Sequence, residues 1–199
     1  MRLSSGLTGQ QVAEKMLRDN GIYDVRITCV QGHLTDHYNP QNKTVNLSPD
    51  VYSGGSIAAA AVAAHECGHA VQHATAYRWL TMRSRLVPIV QFGANWSQWI
   101  LLAGIVLLGF SSVLGEAVLI LGIVLFSLTT LFSIITLPVE YNASARAVAW
   151  LENTGITSGR ETTCAQDALK WAARTYLIAA LSSLATLLYY IALLAGRRD

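Results

Sequence analysis

The sequence predicts a mainly α-helical chain, with multi-pass membrane helices and a small α+β cap at its N-terminal end. Three observations lead there. Of 199 residues, 52% are hydrophobic and only 13% charged, far below the usual quarter. That deficit is concentrated in the second half, so a polar N-terminal part precedes an apolar C-terminal part. Residues 117–137 then run 21 positions without a charge, and residues 176–195 run 20. A soluble helical bundle would carry polar faces at helical spacing, and the segment 117–137 has none.

Composition also excludes some partners. A net charge of +2, with no basic patch interleaved with aromatics, argues against nucleic acid. Cys29, Cys67 and Cys164 are an odd number without framework spacing, as expected in a reducing compartment. Residues 1–6 are polar and carry no signal-peptide pattern.

In chain order, Thr8-Gly9-Gln10-Gln11 reads as a capping box opening an amphipathic helix to about Asn20. Val12, Met16 and Leu17 line its buried face, and Gly21 stops it. Residues 25–30 alternate like a strand. Residues 34–38 and 44–47 flank the turn-forming Asn39-Pro40-Gln41-Asn42-Lys43, giving a hairpin or small sheet. Ser48-Pro49-Asp50 and Ser53-Gly54-Gly55 are breakers, and Ser56 is placed to cap an alanine-rich helix continuing to about Leu86. Residues 86–110 are long enough to span, but Gln91, Asn95 and Gln98 form a polar stripe at i, i+4, i+7. Hydrogen-bonding between membrane helices accounts for that stripe better than a polar substrate path. The expected organisation is therefore 1–85 as an α+β region, 86–138 as a membrane hairpin, 139–175 as helices, and 176–199 as a last span with a short tail.

Chemistry concentrates in Ala63-Ala64-His65-Glu66-Cys67-Gly68-His69-Ala70-Val71-Gln72, an HExxH pattern. Histidines at i and i+4 share a helical face and can grip one zinc ion, while Glu66 is placed to take a proton from the attacking water. Cys67 lies about 200° round the helix from His65 and reads as a packing residue. His73 lies about 12 Å along the axis from His65, too far to share an ion with it. A working zinc site needs a third protein ligand, and Glu140 stands out among the carboxylates. It follows the span 117–137, where a carboxylate is costly to desolvate and wants a cation or interface water. A plain helix-start glutamate is the alternative. Glu152 and Glu161 read as surface acids, and His33 and His37 as weaker site candidates.

Orientation follows from Lys and Arg placement. Arg2, Lys15, Arg18, Arg26, Lys43, Arg78, Arg83 and Arg85 precede the first span, and Arg146, Arg160, Lys170 and Arg174 lie between the second and third. Residues 111–116 have none, leaving Arg197 and Arg198 on the far side. The richer side is expected to be cytoplasmic.

Residues 5–9, Gly32-His33-Leu34-Thr35-Asp36-His37-Tyr38-Asn39-Pro40, 63–72, Leu137-Pro138-Val139-Glu140-Tyr141-Asn142-Ala143-Ser144 and Gly196-Arg197-Arg198-Asp199 occur in an order that closely resembles the YugP-like family of bacterial membrane neutral zinc metallopeptidases. The resemblance covers essentially the whole chain. It implies one Zn²⁺ per chain, a zincin-like cap carrying the HExxH helix, and a multi-pass protein of the bacterial inner or plasma membrane. A more distant similarity in plan to the HtpX-like gluzincins carries ligand status onto Glu140. Two departures stand out. Those relatives have an acidic residue where this chain has Ser144, and family members usually begin with a further hydrophobic segment that is absent here, implying one span fewer.

The expected function is a membrane-embedded zinc endopeptidase acting near the cytoplasmic face. His65, His69 and Glu140 are its metal ligands and Glu66 its base. His37, Arg146, His73 and Tyr141 are candidates for substrate or oxyanion contacts, and the residues do not choose among them. The hairpin around His37 offers strand addition to an extended peptide. Expected partners are membrane lipid and a peptide or membrane-protein substrate; oligomeric state is open. A zinc-binding scaffold without catalysis, or a zinc hydrolase of lipids or small amides, are the rival readings.

Overall fold

The computed structural model describes residues 1–196, so Arg197, Arg198 and Asp199 lie outside the described residues. The chain is mainly helical with one three-stranded sheet, and it divides into two compact units. One comprises residues 1–80 and 138–174, the other residues 81–137 and the chain from 175 onward.

In the first unit, α1 (Gly9–Asp19) opens on the capping box: Thr8 Oγ1 accepts from the Gln11 N–H, and the Gln11 side chain accepts from the Thr8 N–H. Its end is a Schellman turn, with Gly21 at φ +70° and the Ile22 N–H donating to the Leu17 carbonyl at 2.9 Å. Strands β1 (Arg26–Cys29), β2 (His37–Asn39) and β3 (Thr44–Leu47) pair in the order β1-β3-β2. β1 runs parallel to β3, with Ile27 opposite Val45. β2 runs antiparallel to it, with Tyr38 opposite Val45. The first breaker tripeptide opens a one-turn helix, α2 (Pro49–Tyr52), because a proline at the first helical position loses no hydrogen bond.

Helix α3 (Ile57–Ala74) starts at Ser56, whose hydroxyl accepts from the Ala59 N–H. It stops some twelve residues before the boundary expected from composition. Thr75 turns its hydroxyl back onto the Val71 carbonyl at 2.8 Å, Ala76 adopts φ +49°, and the Tyr77 N–H reaches the Gln72 carbonyl at 2.8 Å. This is the same Schellman ending with alanine where glycine is usual. α3 packs through Ala60, Ala63, Ala64 and Cys67 into a core with Met16, Leu17, Val45, Leu47, Ala147 and Leu151.

α4 (Arg78–Leu107), α5 (Ser112–Asn153) and α6 (Arg160–Ala195) are each long and apolar enough to cross a membrane. Within the second unit, a Cβ on Gly104 would meet the Leu119 backbone at 2.8 Å, and one on Gly122 would meet the Leu101 backbone nitrogen at 3.0 Å. Small residues let α4 and α5 approach there, as membrane helices do. Gln91, Asn95 and Gln98 are exposed, whereas Val90, Gly93, Ser97 and Leu101 form the buried face of α4.

Candidate metal centre

The site is assembled in the first unit by α3 and the C-terminal part of α5. Helices approach closely only where side chains are small, and here Gly68 and Ala143 supply that contact. A Cβ on Gly68 would sit 2.8 Å from the Ala143 carbonyl oxygen. Around this contact, His65 and His69 project from one face of α3, their rings edge to face with centroids 4.8 Å apart. Glu140, 2% exposed, points between them from α5: its Oε2 lies 3.3 Å from His65 Nε2 and 3.5 Å from His69 Nε2. Among the described residues, these three side chains are the group whose ligand atoms fall within 4.8 Å of one another.

These spacings suit a shared cation. A direct charge-assisted bond would draw nitrogen and oxygen to about 2.8 Å. Two ligand atoms on one tetrahedral zinc, at bonds of about 2.0–2.1 Å, lie roughly 3.3 Å apart. Two imidazole nitrogens and a carboxylate oxygen are also the donor set of hydrolytic zinc sites, so the residues present fit the ion.

Each histidine is held from behind through its Nδ1. Ser144 Oγ, a neutral hydroxyl, lies 3.1 Å from His65 Nδ1. Gln72 Oε1 lies 3.0 Å from His69 Nδ1. The Gln72 amide, with no exposed surface, donates through Nε2 to the Val139 carbonyl at 2.8 Å and to Asn142 Oδ1 at 3.0 Å. Sequence reasoning passed over Gln72 and Asn142. The available signal was Gln72's place three residues beyond His69, on the same helical face.

The base candidate is held by a main-chain group. Glu66 Oε2 accepts from the Tyr38 N–H on β2 at 2.9 Å, and the carboxylate is mostly buried. Burial alone would lower the pKa of His69. The Glu140 and Glu66 carboxylates, with Gln72, outweigh it and shift the group upward. Cys67 is fully buried with Sγ 3.6 Å from the Ala13 carbonyl, and burial next to Glu66 pushes its thiol far above the usual range.

The structure does not bring every sequence candidate to this cluster. His37 lies on the opposite face of β2 from Tyr38, because adjacent strand residues alternate. Its ring is tied to the Thr35 carbonyl and to Asn46 Nδ2, at 2.7 and 3.1 Å. Arg146 turns back along α5, and its Nε donates to Asn142 Oδ1 at 2.8 Å. His73 Nδ1 pairs with the Tyr38 hydroxyl at 2.8 Å, and exposed His33 pairs with Asp50 at 3.0 Å. Tyr141 is exposed, as is Glu152. Glu161 takes the Ser4 N–H and hydroxyl at 2.8 and 2.9 Å, anchoring the N-terminal segment to α6 rather than facing water alone.

Residues 1–195 match the family described as "Putative neutral zinc metallopeptidase". The chain belongs to this zinc metallopeptidase family. It is similar to a protein of Bacillus subtilis (strain 168) named "Putative membrane protease YugP", with 43% identity over 196 residues. The matched region covers 98% of this chain and 84% of that relative. No solved structure matches it. For a member of this family, zinc is the ion the family's description implies, and the histidine–glutamate cluster is the place that fits it.

Proposed function

We propose that this chain is a membrane-embedded zinc endopeptidase, its first unit a zincin-like cap whose work is done at the cytoplasmic face. The observation carrying the reading is the buried convergence of His65, His69 and Glu140, beside a glutamate on the same helix turn. Zinc, when bound, supplies a Lewis acid that polarises the scissile carbonyl and acidifies a water. His65 and His69 hold it through Nε2 and Glu140 through a carboxylate oxygen. Glu66 keeps Oε2 against the Tyr38 N–H, so its other oxygen, Oε1, takes the proton of the attacking water and passes it to the leaving amine. β2 is an edge strand, and its outward Tyr38 N–H is committed to Glu66. The Tyr38 carbonyl, on the same edge, is then the group offered to an extended substrate.

Membrane embedding is supported by how little of each long helix the protein itself covers. Only 6% of the most apolar window of α6 is buried, and 22% and 28% of those of α5 and α4. Helices this apolar, left uncovered, need lipid. The cytoplasmic assignment rests on the twelve of fourteen Lys and Arg on one side of the spans.

The test uses the detergent-solubilised full chain, with zinc content measured beside cleavage of casein and of lipid. Glu66→Gln is expected to retain stoichiometric zinc and lose at least a hundredfold in casein cleavage. Casein cleavage unchanged by Glu66→Gln, or lipid turnover without proteolysis, overturns the endopeptidase reading.

A further inference from the structure

The hydrogen bonds behind His69 have a direction. A guanidinium only donates and a main-chain carbonyl only accepts, so the two ends of this network fix every bond between them. Arg146 Nε lies 2.8 Å from Asn142 Oδ1, which makes that atom the amide's oxygen. The same oxygen, with two lone pairs, accepts from Gln72 Nε2 at 3.0 Å. Gln72 Nε2 also faces the Val139 carbonyl at 2.8 Å, an independent requirement that this end of the amide be the donor. Its oxygen is thereby turned to His69 Nδ1, 3.0 Å away, where only an N–H satisfies it. A neutral imidazole carries one proton, so Nε2 is left with its lone pair toward Glu140 Oε2, 3.5 Å away.

We propose that Gln72, Asn142 and Arg146 form a hydrogen-bond relay of fixed polarity, in which Gln72 and Arg146 both donate to Asn142 Oδ1 and the Gln72 oxygen is left to accept from His69, so that the His69 proton is held on Nδ1 and Nε2 is presented to the metal. These are positioning residues, acting through His69 rather than on substrate. The relay takes the place of the carboxylate that commonly orients a zinc-binding histidine. It also gives Arg146 a role without contact to the reacting atoms. His65 differs: the Ser144 hydroxyl at its Nδ1 both donates and accepts, and so imposes no direction. The relay rests on reading His69 as a zinc ligand, and its test is arranged to fail separately.

In the zinc-free full chain in detergent, at a pH where His69 is neutral, ¹⁵N-histidine spectra report which ring nitrogen is protonated, the His69 signal being the one lost in His69→Ala. The expected result is a protonated Nδ1, and a protonated Nε2 overturns the relay whether or not the protein binds zinc. Zinc affinity is then measured by chelator competition. Asn142→Asp keeps an oxygen for both donors and should bind zinc within tenfold of wild type. Asn142→Leu breaks the relay and should weaken zinc about 10–100-fold. Equal losses in both variants, or no loss in Asn142→Leu, overturn the proposal. Wild type that binds no zinc overturns the peptidase reading instead, and leaves the tautomer measurement to judge the relay.

Discussion

Gly68 carries the closest approach in the site, and glycine in a helix interior is otherwise a cost of about 1 kcal/mol relative to alanine. The Gly68→Ala variant would recover that propensity. Its methyl group, however, meets the Ala143 carbonyl at 2.8 Å, and a backbone atom cannot rotate away. Overpacking of this kind costs about 1–3 kcal/mol, so the net effect is destabilising despite the better helix former. Because Glu140 lies one turn before Ala143 on α5, the displacement also opens the ligand triangle. Gly68→Ala is expected to lower both the thermal midpoint and zinc affinity; a variant more stable than wild type with unchanged zinc would refute this account. Glu140→Gln is the companion case. It keeps the shape but removes the charge that compensates the ion, and zinc measured after dialysis should fall well below one per chain while His73→Ala retains it.

At the scale of elements, three helices end in the same way, and the contrast among them explains what the sequence could announce. α1 ends at Gly21 and α5 at Gly155, both at positive φ, each followed by an isoleucine N–H reaching back to the helix. The Gly21 stop is readable because glycine is the residue that tolerates φ near +70°. α3 ends with Ala76 at φ +49°, and alanine gives no such signal. The expected helix therefore overran its true end by some twelve residues, across the turn at Ala76 and into α4, while the caps at Thr8 and Ser56, which are local and side-chain encoded, were legible. The site divides along the same line. The His65–His69 spacing lies within one helical turn and is written in the sequence. The Gln72–Val139 and Gln72–Asn142 bonds join residues 67 and 70 positions apart, and no local pattern encodes them. Glu66 is held by a main-chain N–H, which every residue but proline possesses, so residue identities at positions 37 and 38 carried no clue. His37 drew attention as a histidine; the neighbouring backbone does the holding. Ala76→Gly should relieve the strained turn by about 0.5–1 kcal/mol, less the entropy glycine adds to the unfolded chain. Differential scanning fluorimetry should show a midpoint raised by a few degrees, and a lowered midpoint would refute the Schellman assignment.

For the whole molecule the decisive quantity is apolar surface without protein cover. Val124 in α5, Ile178 and Leu188 in α6, and Phe92 and Trp99 in α4 are all more than half exposed. In water such a surface would drive aggregation, and in lipid it is the ordinary outer face of a membrane helix. Val124→Arg separates the two settings. On a water-facing surface an arginine is harmless or solubilising, whereas near the middle of a span it costs about 3 kcal/mol of insertion. The variant is expected to accumulate poorly in the membrane fraction. The Lys and Arg distribution predicts a cytoplasmic face for the metal-site residues, and this can be tested without knowing a substrate. Position 111 lies between α4 and α5, in the loop lacking Lys and Arg, and Cys29 is exposed on β1. With a membrane-impermeant maleimide, Ser111→Cys should label in intact cells while Cys29 labels only after lysis. The reverse pattern would put the catalytic unit outside the cell and require its substrates to be extracytoplasmic.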